Sequence, residues 1–110
     1  MKAIGIDIDN VLSATAAHVL PLLQAHAPGF QMDDWRSFNL YDCSAITRDQ
    51  QRAVFDEFHA DHIEQLPDVA GAADALRQLA QRAPIWLITN RPESTELQTH
   101  RWLHRLRIPY

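Results

Sequence analysis

The segment Ile4-Gly5-Ile6-Asp7-Ile8-Asp9-Asn10-Val11 constrains this chain more than any other. Isoleucines at 4, 6 and 8 alternate with the period of a strand rather than a helix, and mark a buried strand. Asp7 and Asp9 stand at its C-terminal end, on either side of Ile8 and directly before the turn former Asn10. A buried strand does not normally end in two negative charges, because desolvating even one carboxylate is costly. In open parallel α/β sheets, ligands bind at the carboxyl ends of the strands. A Mg²⁺ ion and a phosphate would account for both charges. The alternative is that Asp7 and Asp9 only cap the loop and the helix after it.

A later segment repeats the arrangement. Ile85-Trp86-Leu87-Ile88 is an apolar run of strand length that ends in Thr89-Asn90-Arg91-Pro92. Thr89 offers a hydroxyl, Asn90 an amide and Arg91 a charge suited to phosphate. If the two strands pair in parallel, Thr89 comes close to Asp7 and two loop starts converge on one point. Alone, Thr89 reads better as a helix or turn cap, and the pairing reverses that preference.

The remaining segments are mostly helical. Ser13 to Ala27 places Ala17, Leu20, Leu23 and Ala27 at helical spacing, with Pro21 as a kink or new start and Pro28-Gly29 as the end. Residues 30–46 are irregular and rich in aromatics. Thr47 and Gln50 form a capping box for a helix through Ala53, Val54 and Phe58 towards His62. Gly71 opens a helix with Ala72, Ala73, Leu76, Leu79 and Ala80 on one face. Ser94 or Thr95 caps a last helix, which buries Leu103 and Leu106 and ends near Ile108-Pro109. Strand, long insertion, helix, strand, helix is the order of an α/β unit with a parallel pair. Residues 13–66 then form an inserted helical cap above the strand ends.

Composition narrows the class. At 110 residues and 46% hydrophobic, the chain reads as one domain, small for an α/β enzyme. A net charge of −4 argues against a nucleic-acid polymer as partner. The single cysteine, Cys43, excludes an internal disulfide and fits a reducing cytoplasm. A strand starting within a few residues of Met1 leaves no room for a signal peptide. No apolar run approaches the roughly 20 residues of a membrane span. The expectation is a cytoplasmic protein with no membrane partner.

These residues resemble the haloacid dehalogenase superfamily of phosphohydrolases. Ile6-Asp7-Ile8-Asp9-Asn10-Val11 looks like its first motif, and Ile85-Trp86-Leu87-Ile88-Thr89 like its second. Leu66-Pro67-Asp68-Val69-Ala70-Gly71-Ala72 is similar to the family's return from cap to core. Ile88-Thr89-Asn90-Arg91-Pro92 and Trp102-Leu103…Ile108-Pro109-Tyr110 look most like the 5′(3′)-deoxyribonucleotidase branch. The resemblance implies a partial Rossmann-like parallel sheet, with residues 1–12 and 67–110 as core and 13–66 as a small cap inserted after the first strand. It implies a Mg²⁺-dependent phosphomonoesterase acting on a small phosphorylated substrate, such as a (deoxy)nucleoside monophosphate. Asp7 would be the nucleophile, forming an aspartyl-phosphate. Asp9 would be the general acid and base. Asp7, with the main-chain carbonyl of Asp9, would hold the metal. Thr89, aided by Asn90, would bind phosphate.

The superfamily's later motifs, a Lys or Arg and a further acidic pair at the end of a later strand, have no counterpart after Thr89. The only lysine, Lys2, lies at the wrong end of its strand. The chain therefore reads as an N-terminal portion of such an enzyme, with an open sheet edge that predicts self-association. The alternative is a catalytically incomplete remnant that binds a phosphorylated ligand or a protein.

Other candidates have plainer readings. His59 with His62, and His100 with His104, lie at helical spacing, but nothing completes a zinc ligand set, and they read as solvated or half-buried helix residues. Asp33-Asp34 reads as capping or solubilising. Arg101, Arg105 and Arg107 favour the dipole at the end of the last helix. Trp35, Phe38 and Tyr41 either stack on a nucleobase or pack the cap onto the core.

Overall fold

The computed structural model describes residues 2–35 and 44–110, so Phe38, Tyr41 and Cys43 lie outside the described residues. The described residues form a mixed α/β structure with a two-stranded parallel sheet and four α-helices. Strand β1 (Ile4–Asp7) pairs with β2 (Ile85–Ile88) in the register Ile4↔Ile85 to Asp7↔Ile88. Helices α1 (Thr15–His26), α2 (Arg48–Asp61) and α3 (Ala72–Ala80) lie between them in sequence, and α4 (Glu96–Arg105) follows β2.

The strands are covered on one face only, which corrects the reading of β1 as a buried strand. Ile8, Ile85, Ile4, Ile6 and Leu87 turn towards the helices, whereas Trp86 (68% exposed) and Ile88 (60% exposed) share the open face with Gly5 and Asp7. The alternation of side chains along a strand makes this split unavoidable once helices pack on a single side.

The helix signals act through local hydrogen bonds. The capping box of α2 forms as expected, with Gln50 N donating to Thr47 Oγ1 (3.1 Å) and Thr47 N to Gln50 Oε1 (2.9 Å). Gly71 stands before α3 at φ 81, a conformation that glycine adopts without a Cβ clash. Helix α1 starts two residues later than its periodicity suggests, because Ser13 N donates to Ile8 O (3.1 Å) in the turn after β1. Asn10, at φ 63, accepts from Ala16 N through its side chain (2.8 Å) and so caps α1 from outside the helix. Pro21 is exposed within α1, and the helix runs through it.

Two expectations need correction. Thr95 does not cap α4 with its side chain: its buried hydroxyl donates to Pro92 O (2.7 Å), closing a short 3-10 turn ahead of the helix. Leu79, at the edge of the α3 stripe, is 37% exposed, and Ala73 and Leu76 carry the burial instead. Helix α4 ends as a Schellman motif. Arg107 takes φ 55, Ile108 N donates to Leu103 O (3.1 Å) and Arg107 N to His104 O (3.1 Å). That turn buries Ile108 beside Leu103 and Trp102, while Leu106 is only partly buried.

One apolar cluster runs from the sheet into the inserted helices, joining Ile8 and Ile85 to Val19, Val54, Phe58 and Trp102. The segment after β1 and the segment before α3 pair with each other: Ala14 N donates to Pro67 O and Val69 N to Leu12 O, both at 2.8 Å. Trp102 Nε1 adds a bond to Leu66 O (2.8 Å), tying α4 to the end of the insertion.

A histidine pair joins α1 to the end of α2. His18 Nε2 and His62 Nδ1 share a hydrogen bond of 3.1 Å, and Glu57 lies 3.8 Å from His62 Nε2. Burial, then the His62 ring, hold the His18 imidazole below its ordinary value of 6.5. The unfolded chain takes up a proton there at higher pH than the folded chain does. The contribution of His18 to stability is therefore full above about pH 6.5 and is lost as pH falls through the lower folded value. Denaturant midpoints are expected to drop between about pH 7.5 and about pH 5.5, and to drop less in His18→Gln.

Candidate functional site

The parallel register brings the ends of β1 and β2 together, and the two polar segments divide there into two groups. The first lies on the open face. Asp7, Thr89 and Asn90 line a cleft of about 360 Å³ with Gly5 and Ile88. A Cβ at Gly5 would stand 2.9 Å from Ile88 Cδ1, so the glycine lets the end of the Ile88 side chain lie close to β1 here. Asp7 is exposed and accepts from Ile8 N through Oδ1 (2.8 Å), which orients the carboxylate at the strand end. Thr89 Oγ1 accepts from Arg91 N (3.1 Å), so the loop after β2 folds back on the hydroxyl of a residue that shares the cleft with Asp7.

The second group is an ion pair whose members are not among the residues that line that cleft. Arg91 Nη2 donates to Asp9 Oδ1 (2.7 Å) and Nε to Asp9 Oδ2 (3.1 Å), a two-pronged contact between the β1 and β2 loops. The Arg91 side chain is 3% exposed and that of Asp9 30%. Arg91 Nη1 donates to Thr99 Oγ1 on α4 (3.0 Å). Thr15, the first residue of α1, donates its hydroxyl to Asp9 Oδ1 (2.7 Å), and Ser13 Oγ lies 3.4 Å from the same oxygen. Burial pushes the Asp9 carboxyl up, but the Arg91 hydrogen bond and charge, with the Thr15 and Ser13 hydroxyls, outweigh it and hold Asp9 below its ordinary 3.8.

His59, in the last turn of α2, stands within electrostatic reach of this pair. Burial and then the Arg91 charge lower its imidazole below 6.5, against the opposing pull of Asp9 and Asp56. A larger open groove of about 520 Å³ flanks β2 on the α4 side, bordered by Ile85, Leu87, Pro92 and Leu103 and reaching Thr89 and Arg91.

The structure thus brings Asp7 together with Thr89 and Asn90, and Asp9 together with Arg91. It does not present Arg91 to the cleft. Sequence reasoning missed Thr15, Ser13 and Thr99 altogether; it read His59 as a solvated or half-buried helix residue, and half-buried is what the structure shows, but not its closeness to the Asp9–Arg91 pair. A hydroxyl six residues after Asp9 at a helix start was a usable hint for Thr15. Thr99 and His59 carried none, because only the packing of α4 and α2 brings them near.

The other candidates have local duties. His62 bonds to His18, while His100 Nδ1 bonds to Tyr110 Oη (2.6 Å), so neither helical histidine pair converges on a shared point. Among the described residues no group of three or more His, Cys, Asp or Glu converges as metal ligands do. Asp34 accepts from Gln31 N (2.8 Å) as a cap, and Trp35 packs against the core. Arg101 reaches Glu64 at 3.9 Å. Among the described residues no helix is long and apolar enough to cross a membrane. Comparison with models of known protein families and with curated proteins finds no match to the chain.

Proposed function

We propose that this chain carries the phosphate-handling centre of a Mg²⁺-dependent phosphomonoester hydrolase of the haloacid dehalogenase type, acting on a small substrate such as a (deoxy)nucleoside monophosphate. The observation that supports it most is the placing of Asp7, Thr89 and Asn90 around one cleft at the carboxyl ends of two parallel strands. A carboxylate beside a hydroxyl and an amide is a nucleophile beside phosphate ligands. The paired segments at residues 12–14 and 67–69 support the reading of 13–66 as an inserted cap.

In this reading an Asp7 oxygen attacks phosphorus, the bond from phosphorus to the leaving oxygen breaks, and that oxygen takes a proton relayed through Asp9. Water then attacks the aspartyl-phosphate, gives its proton to Asp9, and releases inorganic phosphate while restoring Asp7. The hold of Arg91 on Asp9 favours the ionised carboxylate, which suits the second half of this cycle. The donor set fits Mg²⁺. The exposed Asp7 carboxylate and the Asp9 main-chain carbonyl are hard oxygen ligands, and this ion is commonly held by one or two carboxylates with substrate phosphate and water. When bound it would offset phosphate charge next to Asp7. The Asp9 carboxylate oxygens are engaged by Arg91 and Thr15, so the Asp9 contribution would come through its main chain.

The same engagement favours a second reading, a module that binds a phosphorylated ligand without turnover. Phosphate release from a panel of deoxynucleoside monophosphates and sugar phosphates, measured with Mg²⁺, separates the two. The hydrolase reading expects release that EDTA abolishes and that Asp7→Asn lowers by at least about a thousandfold. Binding of the same compounds without release would establish the second reading instead.

A further inference from the structure

We infer that Thr99 is a positioning residue that clamps Arg91 onto Asp9, so that Arg91 orients the Asp9 carboxylate instead of binding substrate phosphate. This rests on the hydrolase reading and changes the role of one residue within it. Each of the three guanidinium nitrogens of Arg91 makes a hydrogen bond, which together use three of its five N–H groups. Nε and Nη2 take the two oxygens of Asp9 and Nη1 takes Thr99 Oγ1. A planar guanidinium held along one edge by a carboxylate and at its remaining corner by a hydroxyl has little freedom to rotate. Burial adds to this, because Arg91 is 3% exposed and Thr99 7%.

The placing of these groups is what separates the two roles. The cleft that holds Asp7, Thr89 and Asn90 is not bordered by Arg91, which faces the groove on the α4 side of β2. To reach a phosphate beside Asp7, Arg91 would have to leave both Asp9 and Thr99, and Asp9 would lose its counter-charge. Thr99 is held in place independently of the site. Thr95, one turn earlier, ties the entry of α4 to Pro92 O, and Trp102 and Leu103 anchor the helix in the core. Thr15 at the start of α1 bonds to Asp9 Oδ1, so the carboxylate is held by hydroxyls from two helices, one directly and one through Arg91. A carboxylate fixed this way can serve in-line chemistry at a neighbouring phosphorus, where displacements of about 1 Å cost up to about a hundredfold in rate.

The test uses the 110-residue chain with Mg²⁺ and its best phosphomonoester from the panel. Thr99→Val keeps the shape and removes the hydroxyl. It should lower kcat about 10- to 100-fold and leave KM within about twofold, while Thr99→Ser restores kcat. Inhibition by inorganic phosphate should be unchanged in Thr99→Val. A rise in KM or weakened phosphate inhibition, with kcat kept, would make Arg91 a phosphate ligand and overturn the inference. The Nε–H resonance of Arg91 gives a readout that needs no turnover. It should exchange slowly with solvent in the wild-type chain and in Thr99→Ser, and rapidly in Thr99→Val. An equally protected Nε–H in Thr99→Val overturns the clamp even if no substrate is turned over. Absence of turnover in the wild-type chain, by contrast, counts against the hydrolase reading alone.

Discussion

Replacing Trp102 by alanine should cost about 4 kcal/mol of stability, while replacing Trp86 by alanine should change it by no more than about 0.5 kcal/mol. The two residues are chemically identical, Trp86 standing in the wholly apolar strand β2 and Trp102 in the largely polar helix α4. Their surroundings differ. Trp102 is 1% exposed, packs in the cluster that joins sheet and inserted helices, and donates its Nε1–H to Leu66 O. Its removal leaves a large cavity and strips a buried carbonyl of its partner. A loss of that size is a large fraction of the roughly 5–15 kcal/mol that folded domains possess. Trp86 is 68% exposed on the open face of the sheet and leaves little behind when truncated. Denaturant midpoints of both variants at matched protein concentration give the comparison. Equal losses would show that the open face is covered in solution, as the expected self-association would do. Sedimentation of the wild-type chain across a concentration series would then identify a second copy as the cover.

The Asp9–Arg91 pair should show the other large effect. Asp9→Asn removes the counter-charge of a guanidinium that is 3% exposed, and is expected to destabilise the fold by about 3 kcal/mol. That figure is the low end for a buried pair, because Asp9 itself keeps 30% of its side chain in contact with solvent. Arg91→Leu should cost a similar amount, since it leaves the Asp9 carboxylate with only the Thr15 and Ser13 hydroxyls. The double variant Asp9→Asn/Arg91→Leu should be more stable than the sum of the single losses, because neither charge is then left unpaired. A double-mutant cycle measured by urea unfolding gives the coupling directly. A coupling below about 1 kcal/mol would mean that solvent screens the pair and that Arg91 is free to serve another partner.

Much of the frame was legible in the sequence, for local reasons. Alternating isoleucines located β1, the apolar run located β2, and Thr47 with Gln50 located the start of α2, because each signal operates between residues a few positions apart. The convergence of Asp7 with Thr89 followed from the parallel pairing of two strands that both end in polar groups. Where two local hydrogen-bonding patterns competed, the reading from spacing chose the one that lost. Thr95 turned its hydroxyl to Pro92 instead of capping α4, and Ser13 was drawn into the turn after β1 instead of opening α1.

The sequence by itself thus determined the order of elements, their approximate bounds and the acidic and hydroxyl residues at the strand ends, because period and capping chemistry are properties of neighbouring residues. Only the tertiary structure decided which face of the sheet stays open, and so that Asp7 is exposed beside the cleft while Asp9 is bound to Arg91. It alone paired Asp9 with Arg91 across 82 positions and brought Thr99 and His59 to that pair. The physical reason is that burial and long-range ion pairing depend on how α1, α2 and α4 pack against the strands, and no spacing along the chain encodes that packing.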